Sequence, residues 1–348
     1  MICVVMPAVD ANAVERITFK DPSNRVRTAV CEPLVTAQDG GQLVLCDDGF
    51  ILTILADAIE SRTRDESALV PIDDAEMGRR LLEELPPGFA IYQTTNYLIV
   101  HNTSEAYVRW VGGLFEQLHR GFYAYWKNQG WEPTKPRFPL VALVFADRAS
   151  YDAYALKDVG EAARATIGYY NLETNRMTTY NVPNAERNVA TIIHEATHQL
   201  AYNTGLQKRY ADNPMWVSEG LSVFFESPDF TNPRGWRSIG KVNAVNLARF
   251  RRYLPRRGSE SLATLLSDDM RFRQEASAAD AYSEAWALNY FLLRTKKKEY
   301  VQYLQKLSEG KPLEIRGPRE RIELFEQFMG TDLATLDRQF LAYMSRVQ

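Results

Sequence analysis

One short pattern constrains this chain more than any other feature of its sequence. Two of its four histidines, His194 and His198, lie four residues apart, and Glu195 follows the first of them. The flanking apolar residues keep a helical spacing, and Asn184 precedes them at the position of a helix cap. Because positions i and i+4 share one face of a helix, both imidazoles can reach the same metal ion. The sequence predicts a helix that carries two metal ligands, with a pair of structural histidines as the alternative.

A second helix is predicted after Asn213 and Pro214, where a capping residue is followed by proline at the first helical position. Glu219 lies on this helix, 21 residues after His198. That separation allows a loop and an antiparallel helix that returns a carboxylate to the two histidines. Two histidines and one glutamate, with water in a fourth position, form a catalytic zinc site. Gly220 costs about 1 kcal/mol inside a helix, which indicates that the backbone there approaches another element closely.

Three further side chains receive candidate roles at this site. Glu195 is not a ligand in such an arrangement and is expected to act on the water. Glu226, seven residues after Glu219, is either an outer carboxylate that orients an imidazole, the ligand itself, or a solvated surface charge. Tyr282 is the candidate for stabilising the oxyanion, with an ordinary core or surface tyrosine as the alternative.

These motifs resemble those of a known family. HEATH, followed after a loop by WVSEGLSVFFE, is similar to the gluzincin branch of the MA clan of zinc metallopeptidases, in which a glutamate on a second helix follows HExxH. The stretch from about Leu81 to Leu293, including ELPPGF, NYLIVHNTS, GYYNLETNR and YSEAWALNYFL, more closely resembles an uncharacterised bacterial peptidase-like family of unknown function. The resemblance implies that His194, His198 and Glu219 bind one zinc ion per chain.

The resemblance also implies an activity. It makes Glu195 the general base of a zinc-dependent peptidase, a hydrolase that cleaves peptide bonds through a metal-activated water. The alternative is a non-catalytic metal-binding or scaffolding protein of the cell envelope that retains the zincin fold. One departure matters: thermolysin-like enzymes have an aspartate where this chain has Val223, whereas Glu226 fits the aminopeptidase branch better.

The expected fold class is α+β, with a gluzincin or zincin-like catalytic domain behind a small β-rich N-terminal module. The module is predicted at residues 14–74, with the polar stretch 57–76 as its linker. The catalytic domain is predicted at residues 75–348, mixed α/β to residue 182 and helical from residue 183. Residues 89–100 are expected to form one alternating strand. The hairpin at residues 166–180 precedes the metal helix, and its edge strand either pairs with an extended peptide or is ordinary sheet.

Charge and hydropathy limit the expected partners. The chain has 41 Lys and Arg against 44 Asp and Glu, a net charge of −3, so it has no global basic field for nucleic acid. No run approaches the roughly 20 apolar residues of a transmembrane segment. A peptide or protein substrate is the expected partner. Residues 234–257 nevertheless carry eight Lys and Arg and no acid, which indicates either a contact with an anionic substrate or polymer or a solvated helix face.

The N-terminus and the cysteines leave the compartment open. Residues 1–13 end in a small-x-small pattern, typical either of the end of a secretory signal peptide or, without a basic region, of an ordinary first strand. If Cys3 is removed with such a leader, Cys31 and Cys46 remain as an even pair. They either bridge neighbouring strands in an oxidising compartment or stay two buried thiols. A secreted or periplasmic location follows from the first interpretation and a cytoplasmic one from the second.

Overall fold

The computed structural model describes residues 13–227 and 239–348, which form an α+β fold with two β-sheets. The described strands are β1 (Val14–Lys20), β2 (Val26–Thr36), β3 (Gln42–Cys46), β4 (Ile51–Ile54), β5 (Ile59–Asp65), β6 (Ala90–Gln93), β7 (Tyr97–His101), β8 (Leu140–Phe145), β9 (Gly168–Asn171) and β10 (Arg176–Tyr180). The described helices are α1 (Asp74–Glu84), α2 (Glu105–Gln129), α3 (Arg148–Asp158), α4 (Ala185–Asn203), α5 (Met215–Phe225), α6 (Ala244–Tyr253), α7 (Ser261–Ser267), α8 (Glu275–Thr295), α9 (Lys297–Ser308), α10 (Pro318–Met329) and α11 (Leu333–Met344). The predicted α+β class and β-rich N-terminus are confirmed.

The first sheet is antiparallel, with the strand order β4-β3-β2-β1-β5. Ile17 and Phe19 of β1 are buried and alternate with more exposed residues, as expected for a strand with one face on a core. The prediction of a linker at residues 57–76 is wrong in part, because β5 lies within it and pairs with β1. Six of the seven residues of β5 are exposed and four are charged. Charge protects a sheet edge from pairing with other chains, but it removes the apolar alternation that predicts a strand.

The two cysteines of this sheet lie directly opposite each other on β2 and β3, in the pair Cys31 and Cys46. Both side chains are buried and both thiols are free. Burial and the nearby charge of Glu15 raise the pKa of Cys31 to about 12, and burial also raises that of Cys46. The signal-peptide interpretation rests on residues that lie, apart from Ala13, outside the described part of the chain, so a secreted or periplasmic location stays a prediction.

The second sheet has the order β6-β7-β8-β10-β9, with β7, β8 and β10 parallel and an antiparallel strand at each edge. The single strand predicted at residues 89–100 is wrong. This segment forms a hairpin of β6 and β7. Glu116 of α2 stabilises the turn, because its Oε1 accepts hydrogen bonds from the Thr94 hydroxyl at 2.7 Å and from the Asn96 N–H at 2.8 Å. Both central strands β7 and β8 are buried along their whole length, as expected where helices cover both faces.

Helices cover the two faces of the second sheet with different cores. One core joins α1 and α3 to the sheet, and the larger one joins α2, α4 and the helices of the C-terminal half. Every regular element after β10 in the described residues is a helix. None of these helices is both long and apolar enough to cross a lipid bilayer. This arrangement places α4 between the sheet and the packed pair of α5 and α8.

Candidate metal centre

Helix α4 is fixed at its start and along its sheet-facing side. The Asn184 side chain accepts a hydrogen bond from the Arg187 N–H at 2.9 Å, so the predicted cap is confirmed. Farther along, Gln199 Nε2 donates to the carbonyls of Val141 in β8, at 2.8 Å, and Asn175 in the β9–β10 turn, at 3.1 Å. These bonds fix the position of α4 along its axis, and its rotation about that axis, relative to the sheet. His194 and His198 therefore face α5.

Helix α5 begins one residue later than predicted. Pro214 is its cap residue, and the Met215 N–H donates to Asp269 Oδ1 at 2.9 Å. Asn213 does not cap the helix; its side-chain amide donates to the carbonyl of Lys208 at 2.8 Å and so closes the preceding loop. The first backbone N–H groups of a helix have no acceptor within the helix, so a nearby Asp or Asn side chain often accepts from them. Here the acceptor, Asp269, belongs to a distant segment of the chain. Position in the sequence alone could not reveal this cap.

Gly220 brings α5 into close contact with α8. A Cβ atom at this position would overlap Asn289 Nδ2 and would lie 2.8 Å from the carbonyl oxygen of Ala285. Asn289 Nδ2 also donates to the carbonyl of Trp216 at 3.0 Å and thus ties the two helices together. The expectation that the backbone at Gly220 approaches another element is confirmed. The contact fixes the position of the neighbouring residue, Glu219.

Three predicted side chains converge where α4 faces α5. His194 Nε2 lies 3.1 Å from Glu219 Oε2, His198 Nε2 lies 3.2 Å from His194 Nε2, and His198 Nε2 lies 3.6 Å from Glu219 Oε2. Zinc bonds of about 2.0–2.2 Å in a tetrahedral arrangement separate neighbouring ligand atoms by about 3.3–3.6 Å. The longest separation lies in this range and the other two lie within about 0.2 Å of it, so a small adjustment of the side chains would let this donor set hold a zinc ion. His194, His198 and Glu219 also form the one cluster of this kind found among the described residues.

The outer nitrogen of each histidine has its own partner. His194 Nδ1 lies 2.8 Å from Glu226 Oε2, and His198 Nδ1 lies 3.3 Å from Ser218 Oγ. An N–H on Nδ1 that donates to such a partner leaves the lone pair of Nε2 directed toward the centre. Glu226 is 18% exposed in its side chain, which argues against a solvated surface charge. The structure thus places Glu226 behind His194 and Glu219 beside the two Nε2 atoms.

The electrostatics of the cluster favour a positive charge at its centre. Burial by itself would lower the pKa of His194, but its hydrogen bonds to Glu219 and Glu226 raise it well above the ordinary value. Burial would raise the pKa of Glu219, but His198 and His194 hold it well below its usual range. Without a metal a proton on an imidazole supplies this charge. A divalent cation that binds the same atoms would replace the proton.

Glu195 is held apart from the three converging side chains. Its Oε2 accepts a hydrogen bond from the backbone N–H of Tyr170 at 2.9 Å. Tyr170 belongs to β9, the edge strand of the second sheet, so this bond joins α4 to the strand beside it. Burial raises the pKa of Glu195 above its ordinary value, against the lowering effect of His194 and His198. The sequence offered no signal for the Tyr170 contact, because an amide on a strand edge has no side-chain pattern.

A cavity of about 270 Å³ opens beside His194 and Glu195. Tyr282 lines this cavity, and because α8 begins at Glu275, Tyr282 lies two turns inside that helix. Burial, and then the negative charge of Glu219, raise the pKa of the Tyr282 hydroxyl. A larger cavity of about 420 Å³, between β2 and the segment before α10, includes none of these side chains. Of these two cavities, the smaller one has His194, Glu195 and Glu226 in its wall.

Residues 188–314 match a family described as "Protein of unknown function (DUF1570)". The match begins inside α4, ends between α9 and α10, and contains His194, His198, Glu219 and Tyr282. The expected similarity to a family of unknown function is thereby confirmed in this coarse form. None of the curated proteins compared with the chain matches it.

Proposed function

We propose that this chain is a zinc-dependent peptidase of the gluzincin type that holds one zinc ion through His194, His198 and Glu219. One observation carries the proposal: three candidate ligand atoms from two helices lie at 3.1, 3.2 and 3.6 Å from one another, close to the spacing of a tetrahedral zinc site. Glu226 and Ser218 add the outer contacts that metal-binding histidines ordinarily have. Among the described residues three candidate ligands converge, as in catalytic sites, where a fourth position stays open.

The proposed mechanism divides the chemistry between the ion and the side chains. Zinc, when bound, polarises the peptide carbonyl and lowers the pKa of a water in its open position. Glu195 accepts the proton of the attacking water and transfers it to the nitrogen of the leaving amine. The Tyr170 N–H binds one oxygen of Glu195 and leaves the other oxygen to act on the reactants. The Tyr282 hydroxyl, from the cavity wall, donates a hydrogen bond to the oxygen on which negative charge develops.

The sheet next to the site suits a peptide substrate. β9 is the antiparallel edge strand of the second sheet, and it is joined to α4 through the bond between Tyr170 and Glu195. An extended peptide that lies along β9 would pass the general base at hydrogen-bonding distance from the sheet. This placement supports a peptide bond as the scissile group.

A digest of an unbiased peptide library by the zinc-loaded full-length chain tests the proposal. We expect cleavage products by mass spectrometry, their loss on addition of a chelator, and their return with zinc. Glu195→Gln should keep the metal and lower cleavage at least about 100-fold, the contribution typical of a general base. Glu186→Gln is the matched control, because Glu186 lies exposed in the first turn of the same helix.

Two outcomes would contradict the proposal. If the fully zinc-loaded wild-type chain cleaves no peptide, the protein binds metal without peptidase activity, as the scaffolding alternative requires. If Glu195→Gln cleaves at the rate of the wild type, Glu195 is not the base.

A further inference from the structure

We propose that Arg249 forms a carboxylate-binding subsite beside the candidate metal centre, so that this chain prefers peptides with a carboxylate close to the scissile bond. The carboxylate is either the C-terminus of the peptide or an Asp or Glu side chain. The proposal rests on the proposed function for its reaction. Its binding step depends on residues of a different helix, α6, and is measured separately.

Helix α6 forms one wall of the cavity next to His194. Its cap residue, Asn243, accepts a hydrogen bond from the Asn246 N–H at 3.1 Å, and its buried residues pack on α8. Arg249 and Asn246, three residues apart on one face of α6, line the cavity together with His194 and Glu195. A cation and an amide from α6 therefore share one chamber with the hydrolytic groups.

Within the described part of the basic segment, the side chains of Arg249, Arg252 and Lys241 have no ion pair or hydrogen bond, and of these three Arg249 alone lines the cavity. Arg256 pairs with Asp280 at 2.6 Å, Arg257 pairs with Glu284 at 2.7 Å, and Arg251 donates to the Val347 carbonyl. No ion pair or hydrogen bond of the Arg249 side chain occurs within the two described ranges. Its planar guanidinium can bind both oxygens of a carboxylate at once. Arg249, exposed in the cavity wall and without a partner among the described residues, is thus matched to a single carboxylate.

Asn246 provides an independent sign of a ligand in the same cavity. Its side chain is only 5% exposed, and its amide makes no hydrogen bond to any residue that the structure describes. Buried amides ordinarily have partners, because a buried polar group without one costs free energy. An amide that lines the cavity and has no partner among the described residues is positioned to bind a polar group that enters the cavity. The backbone or the carboxylate of a bound peptide supplies that group.

The cavity favours a carboxylate over a larger anion. Glu195 and Glu226 also line it, so a second negative charge on the ligand would be repelled. Its volume of about 270 Å³ lies just below the usual range for drug-sized ligands and suits a terminal residue or one acidic side chain. The two positions of the basic segment at residues 234 and 237 lie outside the described residues and have no part in the argument.

Direct binding to a non-cleaving chain tests the subsite without any need for turnover. The probe is a pool of acetylated hexapeptides, randomised at four central positions and prepared once as free acids and once as C-terminal amides. The pool is passed over immobilised, zinc-loaded Glu195→Gln protein, and the retained peptides are identified by mass spectrometry. Dissociation constants of the retained peptides are then measured for Arg249→Gln and Arg249→Lys in the same background. Arg252→Gln is the control, with the same loss of charge on the same helix but outside the cavity.

We expect retention to favour free acids if the C-terminus is bound, or Asp and Glu at one position of the amides if a side chain is bound. Arg249→Gln should raise the dissociation constant of the retained peptides about tenfold, the loss expected for one charge-assisted hydrogen-bonded pair. Arg249→Lys should restore part of it, and Arg252→Gln should change nothing.

Equal retention of acids and amides with no acidic position, equal affinity in Arg249→Gln, or no retention at all would overturn the subsite. These results are independent of the proposed function. A wild-type chain that cleaves peptides while Arg249→Gln binds normally refutes the subsite alone. A wild-type chain that cleaves nothing, while binding still depends on Arg249 and on a carboxylate, refutes the peptidase alone.

Discussion

His194 and Glu226 are joined by a contact of 2.8 Å between Nδ1 of the imidazole and Oε2 of the carboxylate. The opposite nitrogen of the same ring, Nε2, lies 3.1 Å from Glu219. The imidazole of His194 therefore lies between two carboxylates, Glu219 and Glu226, which we expect to have different roles. The inner carboxylate shares the centre with both histidines, and the outer one orients a ring.

The two carboxylates should differ in their effect on zinc affinity. Glu219→Ala removes a ligand and should lower the affinity steeply, whereas Glu226→Ala should cost the roughly 10 to 100-fold expected of an outer partner. Competitive zinc titration with a chromophoric chelator measures both, with the exposed Glu186→Ala as control. Loss of affinity in Glu226→Ala with none in Glu219→Ala would move the ligand by seven residues and end the gluzincin assignment.

Ser218 should support His198 as Glu226 supports His194, but more weakly. Its hydroxyl lies 3.3 Å from His198 Nδ1 and 3.4 Å from Gln207 Oε1, so it can donate to the amide oxygen and accept from the ring. A neutral acceptor makes a weaker bond than a carboxylate. We expect Ser218→Ala to lower zinc affinity less than Glu226→Ala in the same titration. Ser222→Ala, one turn farther along α5, is the control; an equal effect of the two serine variants would count against this contact.

Gly220 should be intolerant of a single methyl group. Alanine there would place its Cβ 2.8 Å from the backbone oxygen of Ala285, and backbone atoms cannot move aside without a shift of α5 or α8. We expect Gly220→Ala to lower the free energy of unfolding by about 1–3 kcal/mol and to weaken zinc binding, because Glu219 is adjacent. Chemical denaturation measures the first effect.

The matched control is Gly113→Ala on α2. Nothing lies within 4 Å of a Cβ at Gly113, and the position is exposed. Relief of the glycine entropy in a helix should stabilise this variant by about 0.5–1 kcal/mol. A Gly220→Ala protein as stable as Gly113→Ala would show that the α5–α8 contact is loose.

The thiols of the first sheet should resist alkylation. Because burial and Glu15 raise the pKa of Cys31 to about 12, and burial raises that of Cys46, little reactive thiolate forms at neutral pH. The native chain should react with iodoacetamide much more slowly than the unfolded chain at pH 8, and the native rate should keep rising as the pH approaches 12. Mass spectrometry of Cys31 and Cys46 peptides checks this; equal rates in both states at pH 8 would contradict the burial.

The site was predictable from the sequence where it depends on local spacing. The cap at Asn184 and the i, i+4 histidines lie within one helix, so the periodicity of that segment predicted it. The choice of Glu219 over Glu226 leaned on the gluzincin resemblance as well, because both carboxylates occupy one helical segment. Local rules and one family pattern thus led to every side chain that converges on the centre.

The remaining contacts depend on which elements meet in the fold. Tyr170 reaches Glu195 through a backbone N–H, and Arg249 shares a cavity with it only because α6 packs on α8. Neither the hydrogen bond of Tyr170 nor the position of Arg249 in the cavity can be predicted from a pattern in the sequence. The strand β5 was missed for a different reason: an exposed edge strand is selected for charge, so its sequence resembles that of a linker.

Zinc content tests the central claim most directly. The full-length chain, refolded with zinc and passed through a desalting column, is analysed for metals by mass spectrometry beside His194→Ala and His198→Ala. The claim predicts about one zinc ion per wild-type chain and loss of that ion in both variants, with the fold of each variant checked by circular dichroism. A folded wild-type chain that retains no zinc, or a folded His194→Ala chain that retains as much as the wild type, would contradict it.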